Sequence, residues 1–405
     1  MDKTDFFTRP LLLENPVQKY AWGSTTAIQK ILGAEPDGRT PWAELWMGAH
    51  PKTPSMVHVN DQQKPLNELI RQHPLAFLGA DTAAAYSNTL PYLFKVLAAK
   101  QPLSIQAHPG ARQAGEGFKR ENEQQIPIGD PCRNYRDPWP KPELICAIEP
   151  FGALIGFRSP EIICSLGRRF FPKSLDRPLQ ALESRPDASG IRGFFHELMT
   201  IKKSHRAEVI QETLANARAS DTPEGYWIDR LHQSYPGDAG VLAPVCLNLL
   251  EIPPGRAVFL APGILHAYLY GTGMEIMANS DNVLRGGLTA KHVDVAELLN
   301  TLQFAPSFPD PAPPEKINAA EQRFSAPADE FCLSVIGLDP GTRYCSPNEH
   351  SADILFCLDG QAEIRKNKTN TCLDLGQGQA AIVPAAAGTY EISGRGKIWK
   401  AGVPQ

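Results

Sequence analysis

The sequence contains side chains whose types and spacing suit a divalent metal ion. Residues 103–109 alternate like a β-strand, so Gln106 and His108 project from the same face of that strand. Glu143 and His266, in two later stretches, can complete a set of one amide oxygen, one carboxylate and two imidazoles. That donor set suits a divalent first-row metal, zinc among them. Taken alone, a Gln-x-His spacing is more often a pair of hydrogen-bonded structural residues.

The elements that must position these side chains are short and mostly β by pattern. The 32 glycines and 37 prolines punctuate short apolar runs, which favours a β-rich fold with many turns. Gly271–Gly273 and Asp359-Gly360 predict turns, and the polar run 279–287 predicts a loop around Arg285. The strands predicted around the site and in the tail are 92–98, 102–108, 144–148, 153–157, 245–252, 257–260, 274–278, 332–338, 353–358, 362–365, 379–383 and 397–401.

Helical patterns are confined to a few stretches. Between about 158 and 240 apolar residues recur every three to four positions, which predicts a helical insertion between β segments. A short helix is predicted to begin at Asp294, with Glu297 three positions on. The proline-rich run 305–316 predicts a linker, and residues 317–405 are all-β by pattern. That tail holds only His350, without companion ligands, so we interpret His350 as structural.

Composition bounds the class of protein. The 405-residue chain is 42% apolar and 21% charged, with a net charge of −4, which argues against a general binder of nucleic acid or anionic membranes. No apolar run reaches the length of a membrane span. Residues 1–9 carry Asp2 and Asp5 and no apolar core, so we expect no secretion signal. Eight cysteines without C-x-x-C spacing predict reduced thiols and a cytoplasmic protein.

Five blocks carry a resemblance to a known family. They are Q-K-Y-A-W-G-S at 18–24, A-E-L-W-M-G-A-H-P at 43–51, P-L-S-I-Q-A-H-P at 102–109, K-P-E-L at 141–144, and H-A-Y with M-A-N-S-D-N-V-L-R-G-G-L-T at 266–289. With these blocks in order, the chain resembles the type I mannose-6-phosphate isomerase (phosphomannose isomerase) family. The resemblance implies a zinc enzyme of the cupin type. Such an enzyme interconverts D-mannose 6-phosphate and D-fructose 6-phosphate. We expect proton transfer through a cis-enediolate, and a direct hydride shift is the alternative that the sequence leaves open.

The resemblance also implies an architecture and a ligand set. We expect a mainly β protein with a cupin catalytic domain (a double-stranded β-helix, or jelly roll), an α-helical insertion and a second, C-terminal cupin-like β domain. The expected parts are the catalytic domain at 1–157 and 241–304, the insertion at 158–240 and the C-terminal domain at 305–405. We expect a monomer that binds a sugar phosphate, but neither nucleic acid nor a membrane. One zinc ion per chain would be held by Gln106, His108, Glu143 and His266.

Several residues are candidates for proton transfer, and the sequence does not rank them. Glu275 lies among apolar residues, where burial raises the pKa of a carboxyl group towards that of a useful base. Its alternative role is an ion pair with Arg285. Asp281 and His108 are candidates to assist ring opening, and Lys141 is a candidate proton shuttle.

Substrate contacts form the next group of candidates. Ser104, Lys95 and Lys291 are assigned to the phosphate, although both lysines have the alternative of being solvated surface charges. For Lys95, inside an apolar run, that alternative is unattractive, because a lysine that faces a core needs a partner. The resemblance adds four residues that line the site: Trp22, Glu44, His50 and Tyr268.

The family match also places Arg285 in the active site. A guanidinium group stays charged at any working pH and suits an oxyanion whose charge grows during a reaction. The alternative role of Arg285 is an ion pair with Glu275 or Asp281. Two other functions compete with the isomerase. One is an iron-dependent cupin oxygenase, and the other is a sugar-binding regulatory cupin without turnover.

Overall fold

The chain is built on two antiparallel β-sheets. The computed structural model describes residues 5–59, 62–367 and 371–404. Its strands are β1 Leu11–Glu14, β2 Val17–Gln18, β3 Glu44–Gly48, β4 Met56–Val59, β5 Gln62–Pro65, β6 Tyr92–Ala99, β7 Ile105–Ala107, β8 Glu143–Ala147, β9 Phe151–Phe157, β10 Leu247–Ile252, β11 Ala257–Leu260, β12 His266–Ala278, β13 Leu284–Gly287, β14 Glu315–Lys316, β15 Glu321–Phe324, β16 Cys332–Leu338, β17 Arg343–Cys345, β18 Asp353–Lys366, β19 Cys372–Gly376, β20 Ala380–Val383 and β21 Tyr390–Gly402. Its α-helices are α1 Ala27–Ile31, α2 Leu66–Gln72, α3 Pro74–Leu78, α4 Ala80–Ala85, α5 Ala111–Glu123, α6 Pro160–Phe170, α7 Asp176–Ser184, α8 Ala188–Met199, α9 Lys203–Arg218, α10 Pro223–Ser234, α11 Ala243–Cys246 and α12 Val295–Thr301.

The first sheet has ten strands and carries the ligand candidates. Its path is β10-β9-β12-β6-β3-β2, and β7, β8, β11 and β13 attach beside this path. The first residue of β12, His266, pairs with Gln106 of β7. The second half of β12 pairs with β6 and β8 and sets Glu275 opposite Lys95. One strand therefore carries a metal-ligand candidate and an acid–base candidate.

The predicted turn at Gly271–Gly273 is wrong, because β12 continues through these residues. The pairing of β12 with β9 shifts register between Tyr268 and Tyr270, and Gly271 has a φ of +114°. A Cβ atom on Gly271 would lie 2.6 Å from the carbonyl oxygen of Pro150. Glycine here permits a bend inside the strand, since a larger residue would collide with the neighbouring backbone.

The second sheet has eleven strands and joins the two ends of the chain. Its path is β14-β15-β16-β21-β18-β20-β1-β4-β5, with β17 and β19 attached to it. Strand β1 pairs with β20, so Leu11 lies opposite Ile382. Strands β1, β4 and β5, which belong to the predicted first part of the catalytic domain at 1–157, thus complete the sheet formed by the strands of the tail. The four-part domain division stays a prediction.

The predicted hairpin turn at Asp359-Gly360 is also wrong. Residues 353–366 form the single strand β18, which pairs with β21 along its length. The register of that pairing shifts between Cys357 and Asp359, and Gly360 has a φ of +79°. An Asp-Gly pair fits a β-bulge as well as a tight turn, because both use glycine in the left-handed region.

The helical insertion lies between β9 and β10. Helix α6 begins after Ser159, whose hydroxyl accepts a hydrogen bond from the backbone N–H of Ile162. The apolar faces of α6–α11 share one buried cluster with residues of β7, β9 and β12, so the insertion supports the strands of the site. The strand predicted from residue 245 begins at Leu247, because Ala243–Cys246 form a helical turn.

Three smaller features complete the description of the fold: the apolarity of its helices, its cysteines and His350. Among the described residues, none of the helices combines the length and apolar character needed to cross a membrane. All eight cysteines are free, as the prediction of reduced thiols requires. In the tail, both ring nitrogens of His350 lie within hydrogen-bond distance of backbone carbonyl oxygens, those of Ser351 and Gly388, which is consistent with a structural role.

Candidate active site

Three ligand candidates from three strands meet at one point. His108 directly follows β7, Glu143 begins β8 and His266 begins β12. Their candidate ligand atoms all lie within 4.8 Å of one another, and the three side chains are buried. Nε2 of His108 is 3.3 Å from Oε1 of Glu143, and Nε2 of His266 is 3.3 Å from Oε2 of Glu143. The group has the dimensions and the donor types of a metal site.

Gln106, the fourth predicted ligand, lies beside this group. Antiparallel pairing sets it opposite His266, and its amide Nε2 is 3.5 Å from Nε2 of that histidine. A half-turn of the amide about its last bond exchanges nitrogen and oxygen, so the same position accepts Oε1. The amide oxygen can therefore face the same ion as the His-Glu-His group.

Backbone carbonyls set the tautomer of both histidines. Nδ1 of His108 is 2.7 Å from the carbonyl oxygen of Asn282, and Nδ1 of His266 is 3.0 Å from that of Ile264. A carbonyl oxygen only accepts, so each Nδ1 carries a proton, and Nε2, the nitrogen that faces Glu143, is the ring atom available to a metal. Burial and the neighbouring charge of Lys141 lower the pKa of His108 to about 4, which keeps this imidazole neutral.

The residues present fit a zinc ion. Nε2 of His108 and Oε2 of Glu143 are buried without a hydrogen-bond partner among the described residues. Buried polar atoms are normally paired, so two lone pairs directed into one small space call for a cation. Two imidazoles, one carboxylate and one amide oxygen suit a divalent first-row metal, and imidazole with carboxylate is a common zinc set.

A buried ion-paired group lies next to the metal-ligand residues. Nζ of Lys95 is 2.9 Å from Oε2 of Glu275 and 3.7 Å from Oε1 of Glu44, and all three side chains are buried. Burial opposes the charge of Lys95, but the two carboxylates raise the pKa of Lys95 well above its usual range. Burial raises the pKa of Glu275, and Lys95 limits that rise. The partner of Glu275 is thus Lys95. The alternative role of Glu275, an ion pair with Arg285, is wrong.

Two further candidates are held in ion pairs. Nζ of Lys141 is 3.0 Å from Oε1 of Glu143, so this lysine contacts a ligand candidate directly. Asp281 is 3.5 Å from Nε2 of His50 and 2.8 Å from Nζ of Lys52. Burial opposes ionisation of Asp281, but these two partners hold the pKa of its carboxyl group well below the usual range. Asp281 is therefore ionised at any working pH.

Arg285 lies on a strand and not on the predicted loop. Strand β13 pairs with β7 and sets Arg285 opposite Gln106, with a register shift before Gly287, whose φ is +133°. The loop interpretation failed because paired glycines also occur in strands at bulges. Within the described part of the chain, no carboxylate lies within 4 Å of the Arg285 guanidinium, so neither Glu275 nor Asp281 neutralises it.

Four cations form a positively charged group around Arg285. Burial lowers the pKa of Arg285, and so does the charge of Arg136. Burial likewise lowers the pKa of Lys291, as do the charges of Arg285 and Arg136, and Lys52 adds to this effect. Lys52 is paired with Asp281, whereas no described carboxylate lies within 4 Å of the other three cations. Such a group is suited to a bound anion.

Sequence reasoning missed Arg136 and Asn282. The side chain of Asn282 is fully buried, and its Oδ1 accepts a hydrogen bond of 2.7 Å from the backbone N–H of Arg136. Its Nδ2 donates to the carbonyl oxygens of Asp137 and Trp139, and its own carbonyl receives Nδ1–H of His108. Asn282 therefore connects His108, a metal-ligand candidate, to the backbone segment that carries Arg136. The sequence signal that could have identified Arg136 is its place in N-Y-R-D-P at 134–138, shortly before the K-P-E-L block that contains Glu143.

The remaining predicted lining residues lie around these groups. Ser104 immediately precedes β7 and is half-buried, so it lies just outside the strand that was predicted to contain it. The phenol oxygen of Tyr268 is buried without a hydrogen-bond partner in the described chain, and its ring centroid is 5.9 Å from that of His266. Trp22 stacks on Tyr20 at 5.7 Å and packs against the cluster that contains Tyr268.

The fold and this site define a class: a cupin-type β protein with a buried His-Glu-His group for a divalent metal. The family model described as "Phosphomannose isomerase type I, catalytic domain" matches residues 11–160, and "Mannose-6-phosphate isomerase, cupin domain" matches residues 320–401. The mainly β cupin fold predicted from the sequence is confirmed.

Whole-chain similarities lead to one family. The chain is 37% identical to mannose-6-phosphate isomerase of Salmonella typhimurium over 392 residues, which covers 95% of this chain and 97% of that protein. It is 34% identical to the Homo sapiens protein of the same name, with 72% of each chain covered. A zinc-bound crystal structure of mannose 6-phosphate isomerase matches with a TM-score of 0.88 and 36% identity, covering 98% of this chain and 100% of that one. The chain belongs to the type I phosphomannose isomerase family.

Proposed function

We propose that this protein is a zinc-dependent mannose-6-phosphate isomerase that interconverts D-mannose 6-phosphate and D-fructose 6-phosphate. The observation that carries the proposal is the buried His108–Glu143–His266 group, in which the Nε2 atoms of both histidines face the Glu143 carboxylate. Family membership supplies the substrate class. The proposal includes a monomeric chain that acts in the cytoplasm.

The reaction sets four demands on the site. The sugar ring must open, a proton must move between C2 and C1, the charge of the cis-enediolate must be stabilised, and the remote phosphate must be held. Zinc, when held by His108, Glu143, His266 and Gln106, supplies a Lewis acid for the sugar oxygens. Lys141 contacts Oε1 of Glu143 and orients this carboxylate, a support of the kind that tunes metal ligands.

Glu275 is the proposed base. Burial raises the pKa of Glu275, which makes its carboxylate a stronger base, and Lys95 at 2.9 Å stabilises the ionised form. His108 is unsuited, because Nδ1 donates to a carbonyl and Nε2 faces Glu143. Asp281 is unsuited as a base, because a carboxyl group with a strongly lowered pKa holds a proton poorly.

The cationic group is the proposed phosphate and oxyanion site. No described carboxylate lies within 4 Å of the charged groups of Arg136 and Lys291. We therefore assign the phosphate to Lys291 and Arg136, and Arg136 takes the place of Lys95 among the predicted phosphate contacts. Ser104, beside β7, supplies a hydroxyl donor to the same end of the substrate. Arg285 lies opposite Gln106 on the neighbouring strand and is close enough to Arg136 and Lys291 for their charges to interact, and we assign it to the enediolate oxygens.

A turnover assay with metal analysis tests the proposal. His108→Ala and His266→Ala should each lose stoichiometric zinc and turnover of mannose 6-phosphate, because each removes one of four ligands. His58→Ala is the control, since His58 is an exposed histidine on β4. Retention of zinc and normal turnover in either ligand variant would show that the ligand assignment is wrong. Intact wild-type zinc protein without turnover would favour the regulatory cupin, and purified protein loaded with iron would favour the oxygenase.

A further inference from the structure

A separate pocket lies where helix α10 of the insertion meets the strands of the site. Its volume is about 360 Å³, which lies within the roughly 300–1,000 Å³ of pockets that hold small molecules. Three elements line it: α10, β12 and the β6–β7 connection contribute Tyr226, Trp227, Arg230, Tyr270, Lys100 and Pro102. The metal group, the ion-paired lysine and the cationic group use none of these side chains.

Three aromatic rings form one wall of the pocket. Trp227 and Tyr270 lie parallel, at an interplanar angle of 4° and a centroid distance of 5.8 Å. Tyr226 packs edge-on against Trp227 and is 61% exposed, an unusual degree of exposure for a large ring. Tyr270 is held in place, because its hydroxyl donates to Glu251 at 2.6 Å and its ring lies over the bare backbone of Gly152. The wall is therefore a preorganised aromatic surface that is open to solvent.

Two basic side chains complete the pocket. Lys100 is exposed, and the guanidinium of Arg230 has only a 3.4 Å contact with the amide oxygen of Gln233. In the part of the chain that the structure describes, no carboxylate lies within 4 Å of either charge. Two uncompensated cations beside an aromatic wall favour a ligand that is both anionic and aromatic.

We propose that this pocket binds a purine nucleoside phosphate, with the base against the aromatic wall and the phosphate on Lys100 and Arg230. A sugar phosphate without a base would leave the rings unused, and a neutral aromatic ligand would leave the charges unused. Base–aromatic stacking contributes about 1–3 kcal/mol per base, and charge-assisted contacts to phosphate add to it. The proposal does not depend on the isomerase function.

Isothermal titration of zinc-loaded protein with AMP tests the proposal, with saturating fructose 6-phosphate present to occupy the isomerase site. We expect one AMP per chain, with binding unaffected by fructose 6-phosphate. Arg230→Gln and Lys100→Gln should each weaken the affinity about tenfold, as loss of a charged contact predicts. Tyr226→Ala should weaken it by a similar factor. Lys203→Gln, on the same insertion but outside the pocket, should leave the affinity unchanged.

Fragments of AMP separate the two parts of the proposal. Adenosine lacks the phosphate and ribose 5-phosphate lacks the base, so each should bind at least tenfold more weakly than AMP. Equal binding of ribose 5-phosphate and AMP would overturn the aromatic part, and equal binding of adenosine and AMP would overturn the ionic part. Absence of saturable AMP binding at millimolar concentration, or its displacement by fructose 6-phosphate, would overturn the proposal as a whole.

Discussion

Replacement of Lys95 by methionine tests the buried group of Lys95, Glu275 and Glu44, because methionine keeps most of the volume and removes the charge. Lys95 and Glu275 are 2.9 Å apart, and at an effective dielectric constant of about 20 their attraction is about 6 kcal/mol. Desolvation of the two charges offsets part of this attraction. Removal of one partner leaves buried carboxylates without compensation, which costs about 3–5 kcal/mol. We expect Lys95→Met to lower the free energy of unfolding by that amount.

The same change should alter the pH dependence of catalysis. Lys95 stabilises the ionised form of Glu275, so its removal should raise the pKa of Glu275 further. If Glu275 is the base, the acidic limb of the kcat/KM profile should then move to higher pH, and kcat at neutral pH should fall. KM for mannose 6-phosphate should change little, because Lys95 is engaged by two carboxylates and is not available to the phosphate.

Denaturant unfolding and steady-state kinetics across pH check both effects. Lys119→Met, an exposed lysine on α5, should match the wild type in both measurements. The double variant Lys95→Met/Glu275→Gln should regain part of the lost stability, since it no longer buries that unpaired carboxylate. If Lys95→Met leaves the stability and the pH profile unchanged and raises only KM, the ion-pair reasoning is refuted. Lys95 would then be assigned to phosphate binding.

The remaining predictions concern other charged residues. Arg285→Ala should keep zinc and fold but lose roughly a hundredfold or more in kcat; a large fall in Tm with turnover per folded molecule preserved would refute this. Arg136→Gln and Lys291→Gln should each raise KM for mannose 6-phosphate about tenfold, because each removes a charged contact; unchanged KM in both would place the phosphate elsewhere. The lowered pKa of Asp281 means that its stabilising effect is complete above about pH 4 and is lost as pH falls through the lower folded value. Asp281→Asn should therefore have a lower Tm than the wild type at pH 6, and the two Tm values should converge at the most acidic pH. Both proteins are measured after removal of metal by a chelator. A difference in Tm that does not change with pH would contradict the ion pair.

Much of the local structure was predictable from periodicity and caps. The run at 92–98, apolar except for Lys95, predicted β6, whose eight residues are all buried. Asp294 was predicted to begin a helix, and its side chain does accept a hydrogen bond from the backbone N–H of Glu297. These features depend on neighbours within a few residues, so the sequence alone contains the information. The same is true of Gln106 and His108. They are two residues apart, and in a strand this spacing directs both side chains to the same face.

Glycine-rich segments were ambiguous for a physical reason. Turns were predicted at Gly271 and Gly360. Both residues adopt positive φ angles, but each lies inside a long strand and not at a turn. A left-handed glycine serves a bulge and a turn equally well. Only the pairing of the flanking segments with other strands decides between the two.

Charge partners were decided by tertiary structure alone. The sequence identified Glu275 and Arg285 as ionisable groups of the site and offered an ion pair between them only as an alternative to their catalytic roles. The register of β6 against β12 sets Lys95 opposite Glu275, across 180 residues of chain, whereas β13 sets Arg285 opposite Gln106. A carboxylate beside a cation and one beside none differ in pKa and in chemistry, yet their sequence neighbourhoods look alike. The sequence therefore named many of the charged candidates, whereas their partners follow from which strands pair and in which register.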